Sequence, residues 1–422
     1  MQRSTLNAQR STLNGRTLFR WTLSLCPLLL GMLLIAATAP ATAPATKPAP
    51  QTWYYSAAGS DVASGLDAAH AKKTPKFAGN TNVFLNRGDM FAVTMQLSNL
   101  TDITVNAFGD AAKGKPVIYA PTGGNCTAWW YGTARIAIRN VRFDSAWVWT
   151  KTAGGYAYHQ PAAAFGNVRG SDILIQDCDL ANLNEGVELE SCQRVQIVRL
   201  TQVDPLGLTA RNIMVLDATD TLIQGCVMLN SINESPLRST GKGFQGTTII
   251  AGNKISQVLD PAHGRTACGD GQVKAAVTIR AASGQCSFVG NQVGPGNLSL
   301  NTDVTGLQTI NATVIGNVVS NAQLEIRSGA TGCVISGNDV TAPKDSAGNS
   351  LVPCMPVSAD PKSANQINAN VLHGNRYGGI KFFSPSNASV NANVYLGSSP
   401  DTACVTGTAG ATVGGNVIVG EK

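Results

Sequence analysis

Two arginines lie in strand-like segments near the middle of the chain, and two lysines lie close to them. Arg238 lies in Ser-Pro-Leu-Arg-Ser, Arg280 lies in Val-Thr-Ile-Arg-Ala, and Lys242 and Lys274 accompany them. Cations can neutralise the carboxylate of a uronic-acid sugar, which makes the neighbouring C–H bond acidic. A Lys, His or Arg whose pKa is lowered by nearby positive charge can then take that proton. With His263 in the same region, these five residues are the predicted catalytic groups for β-elimination on an acidic polysaccharide.

Three carboxylates lie in the two preceding strand-like segments. Glu188 and Glu190 belong to Gly-Val-Glu-Leu-Glu-Ser, and Asp217 belongs to Met-Val-Leu-Asp-Ala. Carboxylate oxygens are ligands that Ca²⁺ prefers, so these residues form a candidate calcium site that would also help to neutralise a uronate. The same three carboxylates could instead serve a hydrolase, which needs at least two converging on one cleft. They do not lie in an Asp-Asp or Gly-Asp-Asp context.

The strand-like segments share an alternating pattern, which assigns their side chains to two faces. The predicted inward stack is Leu189, Leu216, Leu237, Ile279, Leu300 and Ile326, and the residues that follow them, predicted to point outward, are Glu190, Asp217, Arg238, Arg280, Asn301 and Arg327. Asn301 and Arg327 are therefore predicted to bind substrate beside Arg280. A salt-bridge ladder, in which acids of two coils pair with arginines of the next two, is the structural alternative for this column.

A repeated motif sets the register of those segments. Four short β-branched runs close with Gly-Asn, at Asn253, Asn291, Asn317 and Asn338. Repeats of this length that consist of strands are typical of a β-helix, in which equivalent residues of successive coils stack. The four asparagines are predicted to form a hydrogen-bonded ladder and not a ligand site.

The first 52 residues differ in composition from the rest. A basic segment ends at Arg20, an uncharged apolar run extends from Trp21 to Ala39, and residues 40–52 are rich in Pro, Ala and Thr. Residues 1–39 are predicted to be a signal peptide, with an uncleaved membrane anchor as the alternative, and 40–52 a linker. Four arginines before residue 21 supply most of the net charge of +6. The remainder is near neutral, which argues against nucleic acid as a partner.

Nine cysteines follow the linker without any Cys-x-x-Cys pair. An odd number without such a pair gives neither a zinc site nor a clear disulfide framework. Cys178 and Cys226 stand where later repeats have asparagine, and Cys286 and Cys333 stand five residues before it. They are predicted to be small core residues.

The beginning of the mature chain carries a family resemblance. Trp53-Tyr54-Tyr55-Ser56, Gly59-Ser60-Asp61 with Ser64-Gly65, and Arg87-Gly88-Asp89 precede the first coils. This stretch resembles the N-terminal entry of secreted, pectate-lyase-like right-handed β-helix proteins. The resemblance implies a right-handed parallel β-helix over residues 53–422. Lys274 and Arg280 also resemble the base and acid of alginate-lyase-type β-helices. In that family the lysine lies a full coil earlier, and His-Gly follows the arginine.

Two segments, 254–276 and 339–367, are predicted to be insertions. The first contains His263 and Lys274, and loops on a rigid scaffold often carry function, so it marks the candidate cleft. The predicted protein is an exported monomer of the periplasm, cell envelope or extracellular space that engages acidic polysaccharide, most simply as a lyase. A non-catalytic glycan-binding or structural envelope protein is the competing hypothesis.

Overall fold

The computed structural model describes residues 48–419, with gaps at 121–125, 146–150, 153–154, 157–162, 184, 204, 206–210, 232–233, 258–274, 281, 302–309, 346, 359–362, 375–376, 378, 398–403 and 408–409. Pro50–Lys422 forms one compact unit. The predicted signal peptide, the membrane-anchor alternative and the linker up to residue 47 lie outside the described residues. Within the described part of the chain, no helix is both long and apolar enough to cross a membrane.

Pro50–Lys422 is a right-handed parallel β-helix, which confirms the predicted fold. Each coil contributes a strand to face A, then to face B, then to face C, before the next coil begins. Four long strands cross from face A to face B without a break: β12 (Ala163–Gln176), β14 (Glu185–Val198), β16 (Arg211–Gln224) and β18 (Leu237–Ala251).

The shorter strands fall on the same three faces. Face A contains β4 (Met95–Gln96), β7 (Cys126–Trp129), β20 (Val277–Ile279), β23 (Leu298–Leu300), β26 (Leu324–Ile326), β29 (Met355–Val357), β32 (Ile380–Phe382) and β35 (Val405–Thr406). Face B contains β1 (Gln51–Tyr55), β2 (Thr81–Asn86), β5 (Thr101–Phe108), β8 (Thr133–Arg139), β21 (Gln285–Val289), β24 (Ala312–Ile315), β27 (Val334–Ser336), β30 (Gln366–Asn368), β33 (Ser389–Asn391) and β36 (Thr412–Gly414).

Face C contains β3 (Met90–Phe91), β6 (Val117–Ala120), β9 (Arg142–Ser145), β13 (Asp179–Leu180), β15 (Thr201–Val203), β17 (Val227–Ser231), β19 (Lys254–Gln257), β22 (Gln292–Val293), β25 (Val318–Ser320), β28 (Asp339–Thr341), β31 (Val371–His373), β34 (Val394–Leu396) and β37 (Val417–Val419). A small antiparallel pair, β10 (Lys151–Thr152) and β11 (Gly155–Tyr156), and a 3₁₀ turn at Ala111–Lys113 complete the described elements.

The asparagine ladder occupies the turn between faces B and C. The Oδ1 atom of Asn291 accepts two hydrogen bonds from Asn253, one from its backbone N–H at 3.0 Å and one from its side-chain Nδ2 at 2.8 Å. Later coils repeat both bonds. The predicted ladder is thus confirmed, and it continues through Asn370, Asn393 and Asn416. At this buried turn, each side-chain amide forms the hydrogen bonds that the backbone groups of the preceding coil would otherwise form with water.

A left-handed residue precedes each asparagine of this ladder. Gly252, Gly290, Gly316 and Gly337 have φ near 63°, a conformation that glycine adopts without a Cβ penalty. Alanine occupies the same position before Asn370 and Asn393. The motif is therefore a positive-φ residue followed by asparagine, and the Gly-Asn pair is its commonest form.

The same turn is built differently in earlier coils. Asp177 and Arg199 occupy the position of the glycines, and their side chains form a bidentate ion pair at 2.6 and 2.7 Å. Cys178 and Cys226 are buried at the asparagine position, as predicted. The N–H of Cys226 donates to Asn253 Oδ1, which begins the ladder.

The register on face A differs from the prediction in the earlier coils. Leu189 aligns with Val215 and Ser239, so Leu216 and Leu237 do not stack on it as predicted. Leu237 instead aligns with Ile213 and Val277, two residues away from the predicted position. Sequence alternation assigns side chains to faces but does not determine which residues of neighbouring strands are aligned.

The later part of the predicted stack is confirmed. Ile279, Leu300 and Ile326 are buried in one inward column. The segments predicted as insertions also contain regular strands. Lys254–Gln257 joins face C, and Asp339–Thr341 and Met355–Val357 are strands of faces C and A.

Seven cysteines are buried and form no disulfide: Cys178, Cys192, Cys226, Cys286, Cys333, Cys354 and Cys404. Burial raises the pKa of Cys286 to about 12 and that of Cys333 to about 11. These thiols are therefore neutral core side chains, as the sequence predicts.

Candidate functional site

Several side chains on the outward surface of face A are buried from solvent. Thr278, Ser299 and Glu325 alternate with core residues and therefore point away from the core, yet all three are buried. A fully exposed sheet face would leave such side chains in water. Their burial shows that neighbouring side chains cover these strands, and we call this covered outward surface of face A the floor.

A group of six charged residues lies beside Thr278 on this floor. We call it the acid–arginine cluster, and its members are Glu185, Glu188, Arg211, Glu234, Arg238 and Arg280. Arg238 Nη1 donates to Glu234 Oε2 at 2.6 Å, and Arg211 Nη1 lies 3.7 Å from Glu185 Oε1. All four of these side chains are mostly buried. Such burial makes their charges interact more strongly than surface charges do.

Strand register explains how the cluster assembles. Glu188, Met214 and Arg238 occupy equivalent positions of β14, β16 and β18. Arg211 Nη1 lies 2.8 Å from Met214 Sδ, which places its guanidinium over β16, between the coils of Glu188 and Arg238. Glu185 begins β14 beside Arg211, which begins β16.

Glu234 is positioned from beneath by two buried side chains. Its backbone carbonyl accepts hydrogen bonds from Ser231 Oγ at 2.8 Å and from Gln257 Nε2 at 3.0 Å. These bonds fix the chain between β17 and β18, so the Glu234 carboxylate reaches Arg238 without an ordered secondary structure of its own.

Burial shifts the pKa of Glu185 and the pKa of Arg238 in opposite directions. Burial raises the pKa of Glu185 above its ordinary value, the charge of Arg211 opposes this rise, and the charge of Glu188 adds to it. Burial also lowers the pKa of Arg238, and the charges of Arg280 and Arg211 lower it further against the opposing effect of Glu234. Three guanidinium groups are therefore close enough to repel one another.

Two donors in the cluster lack acceptors. The Nε atoms of Arg211 and Arg238 are buried and have no hydrogen-bond partner among the described residues. A buried donor without an acceptor costs about 1–3 kcal/mol.

The predicted catalytic residues separate into three groups. Arg238 and Arg280 are brought together, but not in one column, because Arg238 aligns with Thr278. Lys242 is exposed and pairs with Asp217 at 3.5 Å, apart from the cluster contacts. His263 and Lys274 lie outside the described residues, so their predicted roles stay predictions.

The predicted calcium ligands have different surroundings. Glu188 belongs to the cluster, whereas Glu190 pairs with Arg169 at 2.6 Å and Asp217 accepts from Gln245 Nε2 at 2.5 Å. Within the described residues, no group of three or more His, Cys, Asp or Glu side chains is arranged to hold a metal ion. The calcium site stays a prediction.

The predicted substrate-binding residues line a separate depression along the same face. Asn301 and Arg327 follow Arg280 in the outward column, and both border a depression of about 520 Å³. Arg327 Nη2 donates to the buried carboxylate of Glu325 at 2.8 Å. Arg327–Glu325 and Arg238–Glu234 are ion pairs, as the predicted salt-bridge ladder requires. However, each arginine pairs with an acid of its own coil and not with one of a neighbouring coil.

Sequence reasoning missed Glu185, Arg211 and Glu234. Glu185 and Arg211 stand at the first positions of their strands, where alternation does not yet assign a face. Glu234 lies in an irregular segment. The one available signal was the short spacing between Glu234 and Arg238, which places opposite charges four residues apart.

The early aromatic residues are divided between core and surface. Trp130 is buried and packs edge-on against Phe165, at 5.3 Å between ring centroids. Tyr131 is 53% exposed and lies under the guanidinium of Arg169. Trp147, Trp149 and Tyr158 lie outside the described residues.

No protein-family model and no curated protein matches the chain. Among solved structures, the catalytic domain of a GH87 alpha-1,3-glucanase in complex with nigerose aligns with 90% of this chain and 71% of its own, at 10% identity and a TM-score of 0.48. The GH136 lacto-N-biosidase from Eubacterium ramulus aligns with 87% of this chain and 67% of its own, at 12% identity and a TM-score of 0.43. PfbA, a surface adhesin of Streptococcus pneumoniae, aligns with 76% of this chain and 83% of its own, at 9% identity and a TM-score of 0.45. At this identity, nothing about substrate or chemistry transfers from these proteins to this chain.

Proposed function

We propose that this β-helix binds and cleaves a polysaccharide that carries acidic groups, with the acid–arginine cluster as its active site. The observation that carries the proposal is the convergence of Arg211, Arg238 and Arg280, where burial and then the charges of Arg280 and Arg211 lower the pKa of Arg238. A substrate carboxylate between them would relieve their mutual repulsion and accept hydrogen bonds from their guanidinium groups.

Hydrolysis is the chemistry that the carboxylates favour. Glycoside hydrolysis uses one protonated carboxyl group and one ionised carboxylate, held in environments that separate their pKa values. Glu185, whose pKa is raised by burial, is the proposed acid. It donates its proton to the glycosidic oxygen as the bond from that oxygen to the anomeric carbon breaks. Glu188 takes a proton from the water molecule whose oxygen bonds to the anomeric carbon.

The remaining members of the cluster bind the substrate or position a residue that binds it. Arg211, Arg238 and Arg280 are the proposed partners of the substrate carboxylate, while Glu234 holds Arg238 in place. This arrangement makes an acidic sugar the favoured occupant, since a neutral sugar leaves the arginines without an added counter-charge.

β-Elimination is a second candidate, and the lowered pKa of Arg238 is the observation that favours it. In this reaction Arg238 takes the proton from the carbon next to the substrate carboxylate. The electron pair released forms a carbon–carbon double bond as the neighbouring glycosidic C–O bond breaks. The 2.6 Å bond to Glu234 works against this role, because the carboxylate stabilises the protonated guanidinium.

Export belongs to the same proposal. Residues 1–39 have the composition of a signal peptide, which would deliver the β-helix to the envelope or the extracellular space. A monomer remains the expected state.

Product analysis tests the proposal and separates the two reactions. The protein without residues 1–49 is incubated with pectate, alginate and a glycosaminoglycan, and both new reducing ends and ultraviolet absorption of unsaturated sugars are followed. Hydrolysis yields reducing ends without absorption, whereas elimination yields both. Binding in an affinity gel without any product supports the non-catalytic alternative, and neither binding nor product across the panel contradicts the proposal.

A further inference from the structure

We propose that the depression around Arg327 and Phe383 is a distal subsite that holds a second acidic segment of the same polysaccharide. The inference rests on the proposed function and extends it, because it makes the substrate a long chain that runs across successive coils.

The depression combines polar and apolar surfaces. Its lining includes Asn301, Glu325, Arg327, Pro356 and Phe383. Glu325 is almost fully buried, and Asn297 Nδ2 donates to its Oε1 at 2.9 Å, so the carboxylate is fixed. The fixed carboxylate in turn orients Arg327, whose side chain remains about half exposed at 49%. An oriented, accessible guanidinium is suited to binding a carboxylate.

The far edge of the depression presents an aromatic ring. Phe383 is 57% exposed. Lys381 Nζ lies 4.9 Å from the centroid of this ring. An exposed ring offers an apolar surface to the C–H groups of a sugar, and the lysine adds a second cation for an acidic group.

Register connects this depression to the acid–arginine cluster. Arg280, Asn301, Arg327, Ser358 and Phe383 occupy successive positions of one outward column, since each N–H after Arg280 donates to the inward residue of the preceding coil. Neighbouring strands lie about 4.8 Å apart, so Arg327 is about 10 Å and Phe383 about 19 Å from Arg280 along the stack. An extended pyranose chain advances by nearly one coil spacing per sugar. A chain bound at Arg280 therefore reaches Phe383 after about four more sugars.

The test compares long and short substrates of one acidic polymer. Phe383→Ala and Arg327→Gln are each expected to lower kcat/KM on the polymer about tenfold, because they remove contacts made only by a long chain. The same variants should leave kcat/KM on a trisaccharide unchanged. Met90→Ala, which removes another exposed side chain, on face C, is the matched control and should affect neither substrate.

The outcomes separate this proposal from the one on which it rests. Equal losses on polymer and trisaccharide, or no loss on the polymer, would overturn the distal subsite. If the wild type cleaves nothing, calorimetric titration with the intact polymer still decides. Weaker binding by Phe383→Ala than by Met90→Ala supports the subsite, and equal binding overturns it.

Discussion

The asparagine ladder and the acid–arginine cluster are both polar and largely buried in the same β-helix, yet they are organised in opposite ways. In the ladder, every coil repeats one residue type, and each Oδ1 accepts two hydrogen bonds from the coil before it. In the cluster, no position repeats, like charges lie together, and two guanidinium Nε donors lack acceptors among the described residues.

This difference distinguishes scaffold from site. A repeated, fully bonded network is stable by itself and leaves no capacity for a ligand. A non-repeating group with repelling charges and open donors is costly to the fold, which is typical of positions retained for function. Changing one region at a time should therefore affect activity at the cluster and stability at the ladder.

The largest expected effect is on activity. Glu185→Gln removes the proposed acid but keeps a side chain of the same shape. Cleavage of the acidic polymer should fall about 10²–10⁴-fold, the usual contribution of a general acid. Turnover assays with matched circular dichroism check this prediction. A variant that retains wild-type turnover would exclude Glu185 from the chemistry.

The next effect is on stability and belongs to the ladder. Asn317→Ala removes the acceptor of two bonds from Asn291 and the donor to the carbonyl of Phe288. Leaving buried groups without partners costs about 1–3 kcal/mol each, so the free energy of unfolding should fall by about 3 kcal/mol or more. Asn416→Ala, at the partly buried end of the ladder, is the control and should cost less. Chemical denaturation measures both, and equal losses would contradict the ladder's role.

The pH dependence should follow Glu185. Its folded pKa is raised above the unfolded value of about 4.3, so its neutral form is favoured in the folded protein. The contribution of Glu185 to stability is therefore greatest at acidic pH. It declines as the pH rises from the unfolded pKa through the higher folded pKa. Activity should decline with pH in the same sense as the proton is lost. Glu185→Gln should abolish this part of the stability profile, and an unchanged profile would assign the titration to another group.

The smallest effect on stability is expected at the turn between faces B and C in the earlier coils, where Asp177 and Arg199 form an ion pair. Arg199→Gln breaks the pair with Asp177, whose pKa the hydrogen bond from Arg199 lowers. Both side chains are substantially exposed, so the loss should be about 0.2–1 kcal/mol and should shrink in high salt. Because the pKa of Asp177 is lowered, the pair's contribution exists above the unfolded aspartate pKa of about 3.9 and disappears as pH falls further. Denaturation of both proteins at two salt concentrations and two pH values tests this.

The sequence predicts the scaffold better than the site for a physical reason. The ladder at Asn253, Asn291, Asn317 and Asn338 repeats, and repetition reveals register without a structure. Its continuation at Asn370 and Asn393 was hidden because alanine replaces the glycine. The cluster forms at strand starts and beside an irregular segment. Alternation alone placed Arg238 in the column of Arg280, whereas Arg238 aligns with Thr278. Only three-dimensional packing brings Glu185 and Glu234 to the arginines.

The central claim is that the arginines of the acid–arginine cluster select an acidic polysaccharide. Calorimetric titration of the Glu185→Gln protein with a uronate polymer, and with the same polymer after reduction of its carboxyl groups to alcohols, tests this claim without turnover. We predict at least tenfold tighter binding of the uronate form, and loss of that preference in a further Arg280→Gln variant. Equal affinity for the charged and the reduced polymer would contradict the claim.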